Sequence, residues 1–224
     1  MLLEARALTR SYPVDGRELT ILDRVDLLVH PAEFVVVAGQ SGSGKTTLLT
    51  LLSGLDRPSS GQVFFDGVDI TDFDEDRLAP LRNRSFGFVF QAFHLVPSLT
   101  AMENVVFPAE LAGERDAGRR GELLLRAVGL WERRDHFPSQ LSGGEKQRAA
   151  ICRALINRPR VVFADEPTGN LDSINGGAVL ELLLTLRAEQ GSALVLVTHN
   201  EEIAARADRI VTLRDGRIVA DERN

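Results

Sequence analysis

The 224-residue sequence has little cysteine and no long hydrophobic run, and each scarcity excludes a class of protein. No stretch approaches the roughly 18 uninterrupted apolar residues of a transmembrane helix, so we expect no membrane span. The first residues lack the apolar segment of a secretory signal peptide. The one cysteine, Cys152, has no internal disulfide partner, and we expect it to pack inside a helix in a reducing compartment.

Excess positive charge is also absent, since the net charge is −6. This balance excludes the basic surface that nucleic acid or anionic lipid requires, so we expect no nucleic-acid partner. Only Lys45 and Lys146 among the 26 basic residues are lysine, and the others are arginine. A compact ammonium is thus retained at Lys45, inside a glycine-rich segment where a planar guanidinium would not fit.

Apolar runs alternate with helical patterns along the chain, which predicts an α/β fold with a mostly parallel sheet covered by helices. Between about 92 and 157 the pattern becomes more helical and polar, and the charged segment 114–122 predicts a link between helices. We therefore expect one domain with a core of 1–91 and 158–224 and an inserted helical subdomain at about 92–157. The predicted strands and hairpins are 35–38, 61–70, 85–91, 160–166, 192–199 and a closing hairpin turned at Asp215-Gly216.

A phosphate-binding loop, GQSGSGKT, lies between a predicted strand and a predicted helix and matches GxxxxGK[ST]. Its glycines let backbone N–H groups surround phosphate, and the helix dipole adds attraction. Lys45 is predicted to reach the β- and γ-phosphates of a nucleotide, and Thr46 to bind Mg²⁺. The predicted nucleotide-binding residues of this loop are Gly39, Gln40, Ser41, Gly42, Ser43, Gly44, Lys45, Thr46 and Thr47.

Two acids end the later strand VVFADE and complete a nucleotide triphosphatase pattern. Asp165 is the predicted second ligand of Mg²⁺. Glu166, whose side chain would point to the opposite face of a strand, is the candidate general base. The alternative is that these acids only begin a turn.

A second phosphate-type segment, LSGGEKQR (141–148), follows about a hundred residues after the loop. A serine and two glycines before a helical run suit a helix N-terminus that holds an anion. Ser142 and Glu145 also have the spacing of a capping box, in which the acid bonds the N–H of its own helix start. The spacing therefore allows both an anion site and a plain helix cap.

Six motifs follow one another along the chain, in the order GQSGSGKT, Gln91, LSGGEKQR, VVFADE, GNLD and VTH. Together they resemble the nucleotide-binding domain of ATP-binding cassette (ABC) proteins, and the resemblance covers essentially the whole chain. The resemblance implies a P-loop ATPase core with an antiparallel β region near the N-terminus. It also implies that Tyr12 stacks on adenine, with packing as the alternative, and that His199 is a switch near the γ-phosphate. Gln91 would link the γ-phosphate and Mg²⁺ to the helical region, and Asp172 would lie in a loop that meets the opposite subunit.

The same resemblance implies an ATP-sandwich homodimer, in which one copy's LSGG segment closes on the ATP held by the other. The residues contributed in trans would be Ser142, Gly143, Gly144 and Glu145. ATP and Mg²⁺ are the implied cofactors, with Thr46, Gln91 and Asp165 as the Mg²⁺ ligands. The implied catalytic residues are Glu166, His199, Gln91 and Lys45.

The resemblance further implies a subunit that drives a separate integral membrane permease, on the cytoplasmic face of a bacterial inner membrane. ADEPTGNLD and the short ending look like the lipoprotein-release, macrolide-efflux and cell-division branch. The segment from Gln91 through FHLVPSLTAMENVVFPAELAG resembles the surface on which a permease docks. The alternatives are an ATPase that signals through a membrane partner, and a soluble ABC protein of translation or DNA maintenance.

Overall fold

A computed structural model describes residues 1–14 and 16–224, apart from the side chains of Ser173 and Ile174. The chain divides into two compact units. The first unit contains Met1–Ala79 with Ala193–Asn224, and the second contains Pro80–Ser192. The boundaries predicted from the sequence, a core of 1–91 and 158–224 and a helical subdomain at about 92–157, stay a prediction.

The strands from Phe34 onward follow the positions that the sequence predicts, whereas the strands Leu3–Val14 and Arg17–Val29 and the helix Glu75–Ser85 were not predicted from the apolar pattern. The strands are β1 (Leu3–Val14), β2 (Arg17–Val29), β3 (Phe34–Ala38), β4 (Ser60–Phe65), β5 (Val68–Asp69), β6 (Phe86–Phe90), β7 (Val161–Asp165), β8 (Ala193–Thr198), β9 (Arg209–Arg214) and β10 (Arg217–Arg223). The α-helices are α1 (Lys45–Leu52), α2 (Glu75–Ser85), α3 (Ala101–Leu111), α4 (Ala117–Ala127), α5 (Gly143–Leu155), α6 (Ser173–Gln190) and α7 (Glu201–Ala204), and short 3₁₀ turns lie at Trp131–Arg133 and Pro138–Gln140.

The first unit contains an antiparallel sheet and the parallel strands that carry the phosphate loop. β1 pairs antiparallel with β2 and β4, and β4 pairs with β5. β3 lies between β8 and β9 and is parallel to both, while β10 is antiparallel to β9. The predicted α/β class with an antiparallel region near the N-terminus is confirmed.

β3 is apolar along its length because neighbouring strands and helices bury it on both faces. Phe34, Val35, Val36 and Val37 are each at most 1% exposed. Ala38 ends the strand in register with Thr198 of β8. The residues that follow them, Gly39 and His199, therefore begin at the same edge of the sheet.

The second unit contains the parallel pair β6 and β7 and most of the helices. Phe90 at the end of β6 pairs with Asp165 at the end of β7. α5 packs against α3, α6 and β6. Cys152 on α5 is fully buried, and burial raises the pKa of its thiol well above the ordinary value, which fits the predicted packing role.

The link predicted at 114–122 is wrong for most of its length, since α4 begins at Ala117. Ion pairs stabilise this charged helix start, and they are not evident from the composition of the segment. Arg120 lies 3.1 Å from Asp116 at i,i+4 and 3.1 Å from Glu114. Glu122 and Arg126 form a further i,i+4 pair at 2.8 Å. Among the described residues, no helix has the length and hydropathy of a membrane span.

Candidate functional site

The phosphate loop turns between β3 and α1 on glycines that larger residues could not replace without strain. Gly42 and Gly44 have φ of 81° and 102°, in the left-handed region that favours glycine. A Cβ on Gly44 would lie 2.8 Å from Leu22 and 2.9 Å from the Ile21 carbonyl. A Cβ on Gly39 would clash with the Leu213 carbonyl oxygen. The loop is therefore held tightly by its own unit.

Lys45 begins α1 and folds back over the loop. Its Nζ donates to the carbonyl oxygens of Gly39 at 2.8 Å and Gln40 at 2.9 Å. Gly44 is the N-cap of the helix, and as a glycine it has no side chain that could cap the backbone N–H groups. An ammonium and a helix N-terminus that point into one loop form a site for a phosphate anion.

His199 and Tyr12 belong to the same unit as the phosphate loop. His199 is exposed directly after β8, and the next residue, Asn200, caps α7 by accepting from the N–H of Glu202 at 2.8 Å. Tyr12 lies on β1 and is half-buried, with the Arg10 guanidinium 4.4 Å from its ring centroid. Its hydroxyl donates to Asp56 at 3.0 Å.

In the second unit the two acids differ in backbone geometry. Asp165 is the last residue of β7, whereas Glu166 lies outside the strand with φ of 43°. The positive φ, which is rare for a non-glycine residue, turns the chain away from the strand. The carbonyl of Glu166 accepts from Gly169 N–H at 3.0 Å. The direction of the chain at Glu166 therefore comes from a strained turn and not from strand alternation.

Gln91 is joined to the loop that follows Glu166. Its Nε2 donates to Asn170 Oδ1 at 3.2 Å, and Asn170 Nδ2 donates to the Gln91 carbonyl at 2.8 Å. A Cβ on Gly169 would lie 2.8 Å from Gln91 Nε2, so a larger residue there would shift the Gln91 side chain. The structure thus brings Gln91, Asp165 and Glu166 to one edge of the strand pair β6–β7.

The LSGGEKQR segment forms the N-terminus of α5 with the capping box that its spacing predicts. Ser142 N–H donates to Glu145 Oε2 at 2.8 Å, and Glu145 N–H donates to Ser142 Oγ at 3.3 Å. The Ser142 N–H and the nearby charge of Arg133, 3.6 Å away, hold the pKa of Glu145 below its ordinary value. Glu145 therefore serves its own helix, and Gly143 and Gly144 form the first turn.

Asp172 is likewise used within its own chain. Its carboxylate caps α6 by accepting from Asn175 N–H at 3.0 Å and from Asn175 Nδ2 at 2.6 Å. The starts of α5 and α6 are neighbours, because a Cβ placed on Gly144 would lie 3.8 Å from Asn175 Oδ1. Both helix starts are thus stable without a ligand.

The comparisons with known proteins agree on one family. The ABC transporter family model matches residues 22–169. The chain belongs to the ABC transporter family. It is 50% identical to the lipoprotein-releasing system ATP-binding protein LolD 2 of Chlorobaculum tepidum, over 98% of this chain and 92% of that protein. It is also 50% identical to the macrolide export ATP-binding/permease protein MacB of Azoarcus sp., over 98% of this chain but 34% of that longer protein.

Solved ABC cassettes have the same fold. The dimeric post-hydrolysis structure of the cassette MJ0796, bound to ADP and Pi, matches with a TM-score of 0.91 and 37% identity. The match covers 99% of this chain and 98% of that one. As a member of the family, the chain is an ATP-binding ABC cassette and an ATPase.

One residue of the cassette that sequence reasoning missed joins α5 to the carboxyl ends of β6 and β7. Gln147 on α5 is 0% exposed, and its Nε2 donates to the Pro167 carbonyl at 2.6 Å and weakly to the Phe90 carbonyl at 3.4 Å. These carbonyls flank Gln91 and Glu166 in the chain. A glutamine inside the buried stripe of an amphipathic helix was the available signal, since buried polar groups are normally bonded.

Proposed function

We propose that this chain is the ATP-hydrolysing subunit of a transporter with a separate permease, and that it works by closing as a homodimer on two MgATP. The observation that carries this proposal is the pair of different helix starts, one at Gly44 and one at Ser142. The likeness to LolD 2 over 92% of that protein supports a subunit of this size and role.

In the proposed dimer each ATP contacts both copies. Tyr12 stacks on adenine, and the loop from Gly39 to Thr47 holds the phosphates with Lys45 at the β- and γ-phosphates. The partner copy contributes Ser142, Gly143, Gly144 and Glu145 from its α5, and Asp172 meets the opposite subunit. The self-capped start of α5 supports this arrangement, because the helix is ordered before any nucleotide arrives.

Mg²⁺ fits the oxygen donors that the chain offers for it. Thr46 supplies a hydroxyl and Asp165 a carboxylate, both hard donors that Mg²⁺ prefers. Gln91 donates its amide N–H to Asn170, so its amide oxygen is the atom suited to a cation. When bound by these residues, Mg²⁺ would neutralise negative charge on the nucleotide phosphates.

Hydrolysis converts ATP and water to ADP and phosphate. Glu166 accepts the proton of the attacking water, and its strained backbone supports a positioned role. His199 contacts the γ-phosphate as a switch, and Lys45 stabilises the developing charge. Gln91 links the γ-phosphate to the second unit, because its hydrogen bonds to Asn170 would change when the γ-phosphate is lost.

A cleft in the second unit is the proposed docking surface of the permease. Its volume is about 340 Å³, and it lies beside Pro108 of α3. On the same helix, Phe107 and Leu111 are 44% and 67% exposed at i,i+4 positions. Exposed apolar side chains beside a cleft are typical of an interaction site. The cleft is lined by Arg82, Asn83, Phe86, Gly87, Phe88, Phe90, His94, Pro108, Arg153, Ala154 and Asn157.

Docking on a permease would hold the chain at the inner face of the cell membrane. The relatives favour a permease of the lipoprotein-releasing or macrolide-export type, so we propose substrates outside the inner membrane. Glu166→Gln should bind ATP, lose hydrolysis and trap a dimer that co-purifies from membranes with its permease. Wild-type hydrolysis in this variant would contradict the proposal, and a partner without permease spans would favour signalling over transport.

The docking surface has its own test with a matched control. Leu111→Glu should remove the permease from the trapped complex, because it places a charge on the docking surface. Leu123→Glu, on α4 and 59% exposed, should retain it. Equal retention by both variants would place the permease elsewhere, and both should bind ATP like wild type.

A further inference from the structure

Tyr12 belongs to a three-residue cluster in which both carboxylate oxygens of Asp56 are used. The Arg10 guanidinium lies over one face of the Tyr12 ring, 4.4 Å from its centroid. Asp56 accepts from Arg10 Nη2 with Oδ1 and from Tyr12 Oη with Oδ2, both at 3.0 Å. The side chains of Arg10 and Asp56 are only 21% and 32% exposed, so this pair is partly shielded from solvent.

The cluster is also fastened to the helix that begins at the phosphate loop. Asp56 follows the end of α1, and the N–H groups of Leu55 and Asp56 donate to the Thr50 carbonyl at 2.9 and 3.2 Å. α1 itself begins at Lys45, the lysine of the phosphate-binding loop. The Tyr12 ring is therefore held, through Asp56, against the same helix that presents the phosphate site.

We infer that Arg10 and Asp56 are positioning residues that hold the Tyr12 ring for adenine. Arg10 covers one face of the ring, which leaves the opposite face for the base, and Asp56 fixes both the guanidinium and the phenol. This inference rests on the proposed function, in which Tyr12 stacks on adenine. Neither residue needs to contact the nucleotide.

The same strand carries a natural control for this cluster. Arg6 lies over the Phe64 ring at 4.2 Å and pairs with Glu4 at 2.7 Å. This arrangement repeats the cation, ring and carboxylate of the cluster without a tyrosine. Its arginine side chain is 52% exposed. A change at Arg6 therefore removes an equivalent contact from β1 without disturbing Tyr12.

The test compares binding of ATP with binding of tripolyphosphate, which lacks the base, by calorimetry with Mg²⁺ present. The dissociation constant of tripolyphosphate divided by that of ATP measures the contribution of the base and ribose. Tyr12→Ala should lower this ratio about tenfold, as expected for loss of a stacked base. Arg10→Ala and Asp56→Asn should each lower it about two- to fivefold, the range of one cation–π contact. Arg10→Lys should retain most of the ratio, and Arg6→Ala should leave it unchanged.

Each outcome decides between the inference and the proposal beneath it. If Tyr12→Ala lowers the ratio but Arg10→Ala and Asp56→Asn do not, the positioning role is wrong and the adenine platform stands. If Tyr12→Ala leaves the ratio unchanged, the platform itself is wrong. If tripolyphosphate binding falls in Arg10→Ala or Asp56→Asn as much as ATP binding does, these residues support the loop and not the ring.

Discussion

Two helix starts in this chain carry glycines suited to an anion, and they are built in opposite ways. α1 is capped by Gly44, with φ of 102° and no side-chain hydrogen bond, and Lys45 lies over the loop. α5 is capped by Ser142 in extended conformation, and Ser142 and Glu145 satisfy each other's N–H groups. Each start contains one of the two lysines of the chain.

The starts of α1 and α5 are two candidate phosphate grips, and their difference favours one of them, the start of α1, as the site of the chain's own ATP. The start of α1 is capped by a glycine, which has no side chain to bond backbone N–H groups, and a phosphate fits such a helix start. At the start of α5 the capping box bonds the N–H groups of Ser142 and Glu145, so the helix start is ordered before it meets the ATP of another copy. We therefore propose that the start of α1 binds the chain's own ATP and that the start of α5 contacts the ATP of a second copy.

The largest expected effect separates the two lysines. Lys45→Ala should weaken ATP binding to the isolated chain by about a hundredfold or more, since it removes charge-assisted bonds to phosphate. Lys146→Ala, on the first turns of α5, should leave that binding within about twofold. Calorimetric titration with MgATP measures both. Similar losses of ATP affinity in the two variants would mean that α5 binds the same ATP as the phosphate loop of its own chain.

A smaller effect should follow from detaching α5 from the strand ends. Gln147→Leu keeps the volume but leaves the buried Pro167 carbonyl without its donor, which should cost about 1–3 kcal/mol of unfolding free energy. ATP hydrolysis should fall more than ATP binding, because Gln147 lies against the segments of Gln91 and Glu166. Urea denaturation gives the stability.

The control for that variant is an exposed glutamine of the same unit. The side chain of Gln140 accepts a hydrogen bond from Phe137 N–H at 2.9 Å. Gln140→Leu should cost about 1 kcal/mol or less and should keep hydrolysis. If Gln147→Leu behaves like this control, the helix is not joined to the catalytic segments through its glutamine.

The smallest effect concerns the capping acid and its pH dependence. The pKa of Glu145 is lowered chiefly by the Ser142 N–H, so its contribution to stability is present above its ordinary value of 4.5 and is lost as pH falls through the lowered folded value. Glu145→Gln keeps an acceptor oxygen and does not titrate. Its melting temperature should lie slightly below wild type at pH 7, and the gap should close as the pH falls below 4.5. A gap that is independent of pH would contradict the capping role.

The sequence was most informative where a local backbone conformation requires particular residue types. The glycines of GQSGSGKT predicted the phosphate loop, where Gly42 and Gly44 have positive φ. The spacing of Ser142 and Glu145 predicted the cap of α5, which the hydrogen bonds confirm. The strand before the loop is apolar because it is buried on both faces. Such signals depend on neighbours in the chain, so they can be seen without the fold.

Other features depend on distant residues and left no such signal. α2 was not predicted, because Leu78 is its one buried residue and Pro80 interrupts it. The bond of Gln147 to Pro167 spans 20 residues, and the Tyr12–Asp56 bond spans 44. The turn at Glu166 has a strained backbone, with φ of 43°, and the residue types around it do not indicate this strain. Packing and long-range hydrogen bonds decide these positions.

The central claim, that the two grips serve different ATP molecules, is tested most directly by mixing two defective chains. One carries Lys45→Ala and the other Ser142→Arg, both with Glu166→Gln, and native mass spectrometry counts ATP in the dimers that form. In a head-to-tail dimer the mixed pair has one intact site, so the account predicts a mixed dimer with one trapped ATP. If both grips acted on the same ATP within one chain, neither chain would have an intact site, and a mixture without ATP-bound dimer would contradict the account.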